Sequence, residues 1–233
     1  AAQYPDKLEA LKKLYLEEAN KNQALPLDDR TATEILNIER PTEEEARDSY
    51  TYYPHTSSVP EAVAVNVRGK SFKIIANVEV KDANASGVIF AHGSRFGGHS
   101  LFIKDHKLYY VYNFLGITEY KLVSATPITA GKYTFGMEFN KEKAGEHHES
   151  IGTAKLYIND KHVATGSMKA QVGKFTLVGD GLCVGYDSGD PVSKLYSSPG
   201  EFKGGTIKFV TVSTGKEQYK DLQMEAARAF RKE

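Results

Sequence analysis

Between Pro5 and Asn22 apolar side chains fall at three- and four-residue steps, Leu8, Leu11, Tyr15 and Ala19, with Lys12, Lys13, Glu17 and Glu18 between them. That period predicts one amphipathic helix, and Pro5 and Asp6 suit its first turn. The period then stops. LPLDDRTATEILNIERPTEEEARDSYTYYPHTSSVP is punctuated by Pro26, Pro41, Pro54 and Pro60, and reads as an extended arm with one short helix near 33–39. From about Ala62 the period changes to two. AVAVNV, SFKIIANVEV, GVIFAHG, HSLFIKD, KLYYVYNF, ITEYKLVS, KYTFGMEFN, TAKLYIND, KHVATGSM and TIKFVTVS are short, alternating, and rich in β-branched and aromatic residues. Turn signals separate them, such as Lys104-Asp105-His106-Lys107 and Asn159-Asp160-Lys161. The pattern predicts an antiparallel β-sandwich over 59–213, with an N-terminal helix and arm over 1–58. A second helix is expected over 214–233, where Tyr219, Leu222, Ala226 and Phe230 share a face.

Composition narrows the functions open to such a chain. Its 233 residues, 40% hydrophobic, suffice for one sizeable core. Thirty basic and thirty acidic side chains cancel, which removes the long-range field that drives nucleic-acid binding. No apolar run approaches the roughly 20 residues needed to span a bilayer. A single cysteine, Cys183 in Leu182-Cys183-Val184, excludes an internal disulfide and a four-cysteine zinc site, and reads as a small buried residue on a strand. The opening Ala1-Ala2-Gln3-Tyr4-Pro5 reads as the interior of something longer.

The stretch His92–Gly116 is the densest in candidate chemistry: HGSRFGGHSLFIKDHKLYYVYNFLG. A phosphate cradle needs a strand, a glycine loop and a helix, but a strand pattern follows Gly98. A zinc site needs three or four convergent ligands, whereas His92, His99 and His106 fall on different turns. The histidines therefore read as turn or surface residues. A retaining glucanase would need paired carboxylates about 5–5.5 Å apart, yet Glu79 and Glu138 each stand alone on a strand.

TAKLYINDKHVATGSM, a strand, a tight turn and a strand, resembles the jelly-roll sandwiches of the laminin-G and concanavalin A-like lectins. Two further blocks resemble bacterial arylsulfatases of the alkaline-phosphatase superfamily. YPDKLEALKKLYLEEANKNQALPLDDR is similar to the segment after their catalytic domain. YTYYPHTSSVPEAVAVNVRGKSF, GSRFGGHSLFIKDHKLYYVYNFLG and VGYDSGDPVSKLY resemble the C-terminal β-domain of the longer enzymes. The match is to the non-catalytic portion. The Cys/Ser-x-Pro-x-Arg motif that matures to formylglycine has no counterpart: Cys183 precedes Val-Gly-Tyr, and Ser197-Ser198-Pro199 has Glu201 where the arginine should stand. Asp28-Asp29 lies on the arm and not after an apolar parallel strand, so it does not fit the metal-binding pair.

The resemblance implies a non-catalytic accessory domain of a sulfate ester hydrolase. Its partner would be a sulfatase catalytic domain, or a second copy bound through the arm. The compartment stays open between periplasm and cytoplasm. The alternative is a carbohydrate-binding, lectin-like module. Its candidate ligand residues are Arg95, Phe96, His99, Tyr110, Tyr112 and Asn113, with Asp180, Asp187 and Asp190 as candidate loop ligands for calcium. Two glycine–aspartate turns between strands are the plainer reading of those aspartates. No catalytic residue, resident cofactor, nucleic acid or membrane partner is expected.

Overall fold

The computed structural model describes residues 3–25, 48–175 and 180–215. The expected short helix near 33–39, the C-terminal helix and Asp28-Asp29 lie outside these residues. The chain divides into two compact units, Ala1–Ala46 and Arg47–Glu233.

In the first unit α1 runs Pro5–Lys21, with Pro5 in its first turn, Asp6 beside the positive helix end and Lys21 at the negative one. Exposed pairs Glu9–Lys12 at 2.8 Å and Glu18–Lys21 at 3.4 Å decorate it. Such pairs are worth a few tenths of a kcal/mol each.

Among the described residues the second unit is a jelly-roll sandwich of eleven strands: β1 Ser49–Tyr52, β2 Phe72–Val80, β3 Gly87–Ser94, β4 Gly97–Lys104, β5 Lys107–Phe114, β6 Thr118–Val123, β7 Gly131–Ala144, β8 Ser150–Ile158, β9 Lys161–Ala170, β10 Leu182–Val184 and β11 Gly205–Thr214. One sheet has the order β1-β11-β2-β7-β8-β9 and the other β10-β3-β4-β5-β6. Every pairing between named strands is antiparallel. Alternation sends Phe72, Ile74, Ala76, Val78, Phe135, Met137, Phe139 and Leu156 from the first sheet against Phe90, Leu101, Ile103, Leu108, Tyr110 and Tyr112 from the second, which together form the core. Hairpins close where left-handed backbone is available. Asp105 and His106 have φ of 48° and 59°, the pair of positive angles that a two-residue turn matching the strand twist requires.

Two expectations change here. AVAVNV forms no strand; Val65 and Val67 are buried on an irregular segment instead. Ser49–Tyr52, read as arm, is an edge strand on β11. Its Tyr52 hydroxyl accepts the Val65 N–H at 2.9 Å, tying the missing strand to the one that was not expected.

The outer face of the second sheet is also covered. Val88, Ala91, Phe102 and Val111 pack under Val192, Leu195 and Tyr196, so the 185–204 segment is a strap across that face. Its anchor is Asp187, which is buried and accepts the Tyr196 hydroxyl at 2.6 Å and the Val192 N–H at 2.9 Å. Burial raises the Asp187 carboxyl to about 6, while these two hydrogen bonds pull it down.

Candidate functional site

The six candidate ligand residues separate into two environments. His99, Tyr110 and Tyr112 point between the sheets and are at most 1% exposed. No surface ligand reaches them, and their assignment to a binding face is corrected. β-alternation explains it: on KLYYVYNF the even-numbered tyrosines share the core face with Leu108. The Tyr110 hydroxyl lies 3.1 Å from His99 Nδ1, and Tyr112 accepts the Gln171 N–H at 2.8 Å. Burial raises both phenols.

His92 and His99 face each other across β3 and β4, ring centres 5.8 Å apart, against Phe72, Phe90 and Phe175. Burial lowers His92 to about 3, with the Arg68 charge acting in the same direction, and holds His99 well below the usual range. Both are neutral core residues on paired strands at any physiological pH, which corrects their reading as turn or surface histidines.

Arg95, Phe96 and Asn113 make up the other group. The β3–β4 turn carries Arg95 and Phe96 at its tip. Gly93, with φ of 107°, permits the close approach; a Cβ there would stand 2.3 Å from the Gly97 carbonyl oxygen. Asn113 is buried and fixes the rim from below. Its amide donates to the carbonyls of Arg95 (3.0 Å) and Val192 (2.8 Å), and its oxygen accepts the Gly116 N–H (2.9 Å). One side chain thus ties the β3–β4 turn, the β5–β6 turn and the strap. Gln171 adds a fourth segment, accepting the Leu115 N–H at 3.2 Å and donating to the Lys174 carbonyl at 2.8 Å.

On this clamped base stand exposed apolar side chains: Phe96 at 49%, Leu115 at 47% and Ile117 at 78%. The Arg95 guanidinium carbon lies 4.7 Å from the Phe96 ring centre, and Arg95 Nε is 3.0 Å from Asp190 Oδ2. Leu115 and Ile117 carried no sequence signal as ligand residues; the β5–β6 turn brings them beside Phe96, with the backbone of Gly116 next to Arg95.

The three aspartates have separate occupations. Asp187 anchors the strap, Asp190 pairs with Arg95, and Asp180 lies against Gly189 with its carboxyl raised by burial and by the Asp190 charge. Among the described residues no three His, Cys, Asp or Glu side chains are grouped to hold a metal ion. Glu79 and Glu138 lie on the outer face of the first sheet, six residues apart in register, since Glu138 pairs with Lys73. That is about 20 Å at roughly 3.3 Å per residue, far beyond a retaining carboxylate pair. Cys183 is buried on β10, its thiol 3.3 Å from the Ser188 hydroxyl.

The chain matches no protein-family model and no curated protein, so nothing beyond the residue resemblance ties it to the sulfatases. It is similar in fold to solved structures. These include a Ruminococcus gnavus sialidase CBM40 bound to α2,6-sialyllactose, at 14% identity over 77% of this chain and 97% of that one, TM-score 0.49. Mouse laminin α1 domains LG4–5 give 12% identity over 73% and 41%, TM-score 0.44. A heptameric SAP-like pentraxin from Limulus polyphemus gives 15% over 76% and 80%, TM-score 0.37. At this level the likeness is one of β-sandwich outline, and no residue role passes through it. Among the described residues no helix is long and apolar enough to cross a membrane.

Proposed function

We propose that the sandwich is a non-catalytic glycan-binding module whose ligand lies on the Arg95–Phe96 rim. One observation supports this most: Phe96, Leu115 and Ile117 stand exposed around an arginine, on turns that Asn113 and Gln171 lock in place. A sugar ring presents an apolar C–H face and a ring of hydroxyls. Exposed rings and aliphatic side chains take the first, and directed N–H donors take the second. Asp190 occupies one edge of the guanidinium and leaves its terminal N–H groups for hydroxyl or carboxylate oxygens. Because the platform is fixed before binding, little side-chain freedom is lost on association.

Calorimetric titration with a glycan panel, including 3′- and 6′-sialyllactose, tests the reading. Arg95→Ala and Phe96→Ala are each expected to weaken the best ligand by about tenfold, or roughly 1.4 kcal/mol, with the fold intact because both side chains are exposed. Unchanged affinity in both variants would sink it.

The finer reading, an accessory domain of an arylsulfatase, has the residue resemblance as its support. Its expected outcome is no turnover of an aryl sulfate by the purified chain with calcium, together with co-purification of a sulfatase from the native source.

A further inference from the structure

β3 spans seven residue steps, so its ends lie about 23 Å apart at roughly 3.3 Å per step. The Arg95 rim is at one end. Near the other, two pockets flank the segment 200–205. One, of about 310 Å3, is lined by His55, Tyr186, Glu201, Phe202 and Thr206. The second, of about 440 Å3, is lined by Ser86, Lys104, Tyr196, Ser198, Glu201 and Lys203. Both fall in the size range of small-ligand sites. Glu201 lines both and is exposed.

We propose that these pockets form a second ligand site: a two-subsite groove for a neutral oligosaccharide, with the Glu201 carboxylate accepting hydroxyl protons at the junction. It goes beyond the rim reading and shares no residue with it. The chemistry of the walls selects the ligand. Tyr186 and Phe202 offer ring surface in one pocket and Tyr196 in the other, while Thr206, Ser86 and Ser198 supply hydroxyls. An ionised carboxylate only accepts hydrogen bonds, so the group beside Glu201 must donate. Sugar hydroxyls do so and also use the rings. An anionic ligand meets repulsion from Glu201 in both pockets, and an amine meets Lys104 and Lys203 in the larger one.

The walls are held independently of any ligand. The Tyr186 hydroxyl donates to the Thr56 carbonyl at 3.1 Å, and Phe202 N–H to the Gly185 carbonyl at 2.9 Å. Lys104 Nζ donates to the Leu195 carbonyl at 2.7 Å, and the Ser198 hydroxyl to the Asp187 carbonyl at 3.0 Å. Gly205 lets the wall close: a Cβ there would stand 3.1 Å from the Phe202 ring and 2.4 Å from the Glu79 carbonyl oxygen.

Amide chemical-shift mapping on the full chain decides the matter, using lactose, maltose and cellobiose as neutral probes, 3′-sialyllactose as an anionic one and lysine methyl ester as an amine. One or more neutral disaccharides are expected to shift Gly87, Gly185 and Gly205. Glu201→Ala should weaken that binding by about tenfold or more while the rest of the spectrum stays in place, and Arg95→Ala should leave it unchanged. The proposal is overturned if neutral sugars shift only the Phe96–Ile117 turns, if none shifts the groove amides up to about 10 mM, a very weak affinity, or if the lysine ester alone does so. Because the two sites report through different amides, loss of one leaves the other readable.

Discussion

His92 and His99 show how position overrides residue type. Among the described residues, both ring nitrogens of His92 and Nε2 of His99 lack a hydrogen-bond partner. Protonating either ring puts a charge between two sheets, with Arg68 acting against His92. The folded state therefore resists a proton that the unfolded chain accepts near its ordinary 6.5. Stability is fully present above that value and falls as pH drops from about 6.5 toward 3. For His92 alone the loss between pH 7 and pH 5 is on the order of 2 kcal/mol. Asp187 runs the opposite way: its folded value, raised to about 6, makes acid favour the fold between about 6 and the ordinary 3.8, offsetting part of the loss. Urea midpoints at pH 7 and pH 5 should thus fall with acid in the native chain. The fall should be smaller in His92→Leu and larger in Asp187→Asn. Equal slopes in all three would refute the account.

At the scale of elements, the strap is the piece that the sequence concealed. Nine of the ten alternating stretches became strands because period-two alternation reports a face that must be buried. AVAVNV shows the same alternation without pairing: Val65 and Val67 are buried from an irregular segment. Ser49–Tyr52 was hidden by the prolines on either side of it. Tyr110 and Tyr112 share one face of β5, but that face is the core and not the ligand face expected of them, and the opposite face, with Val111, is not wet either. The strap covers it, and no local period in VGYDSGDPVSKLYSSPGEF announces a segment that packs on that face through Val192, Leu195 and Tyr196. Candidate ligand residues suffered for the same reason. Arg95 and Phe96 were visible as turn residues, whereas Leu115, Ile117 and Glu201 depend on which turns meet in space. Tyr196→Phe is expected to leave the buried Asp187 carboxylate short of its strongest partner. The cost should be about 1–3 kcal/mol, read as a lowered melting temperature. Loss of the Tyr196 hydroxyl should also move Asp187 further upward, seen in its carboxyl carbon shift on titration.

On the scale of the whole molecule, every described strand of both sheets lies within 49–214, and the first compact unit ends at Ala46. A chain beginning at Arg47 is expected to unfold cooperatively with a melting temperature within a few degrees of the full one, since about 1 kcal/mol moves a domain of this size by roughly 2–4 °C. A non-cooperative transition would show that the first unit completes the core.

The pairing of β1 with β11 has a consequence of its own. Strand partners Ser49 and Ser213 touch through their hydroxyls at 3.1 Å, and the Thr214 N–H donates to the Asp48 carbonyl at 2.8 Å. The first and last described strands of the sandwich thus lie side by side, as the two leads of a plug do. A sandwich with adjoining first and last strands can be spliced into a surface loop of another protein, or have those strands joined and be reopened at the exposed Ala125–Pro127, without unthreading a single core strand.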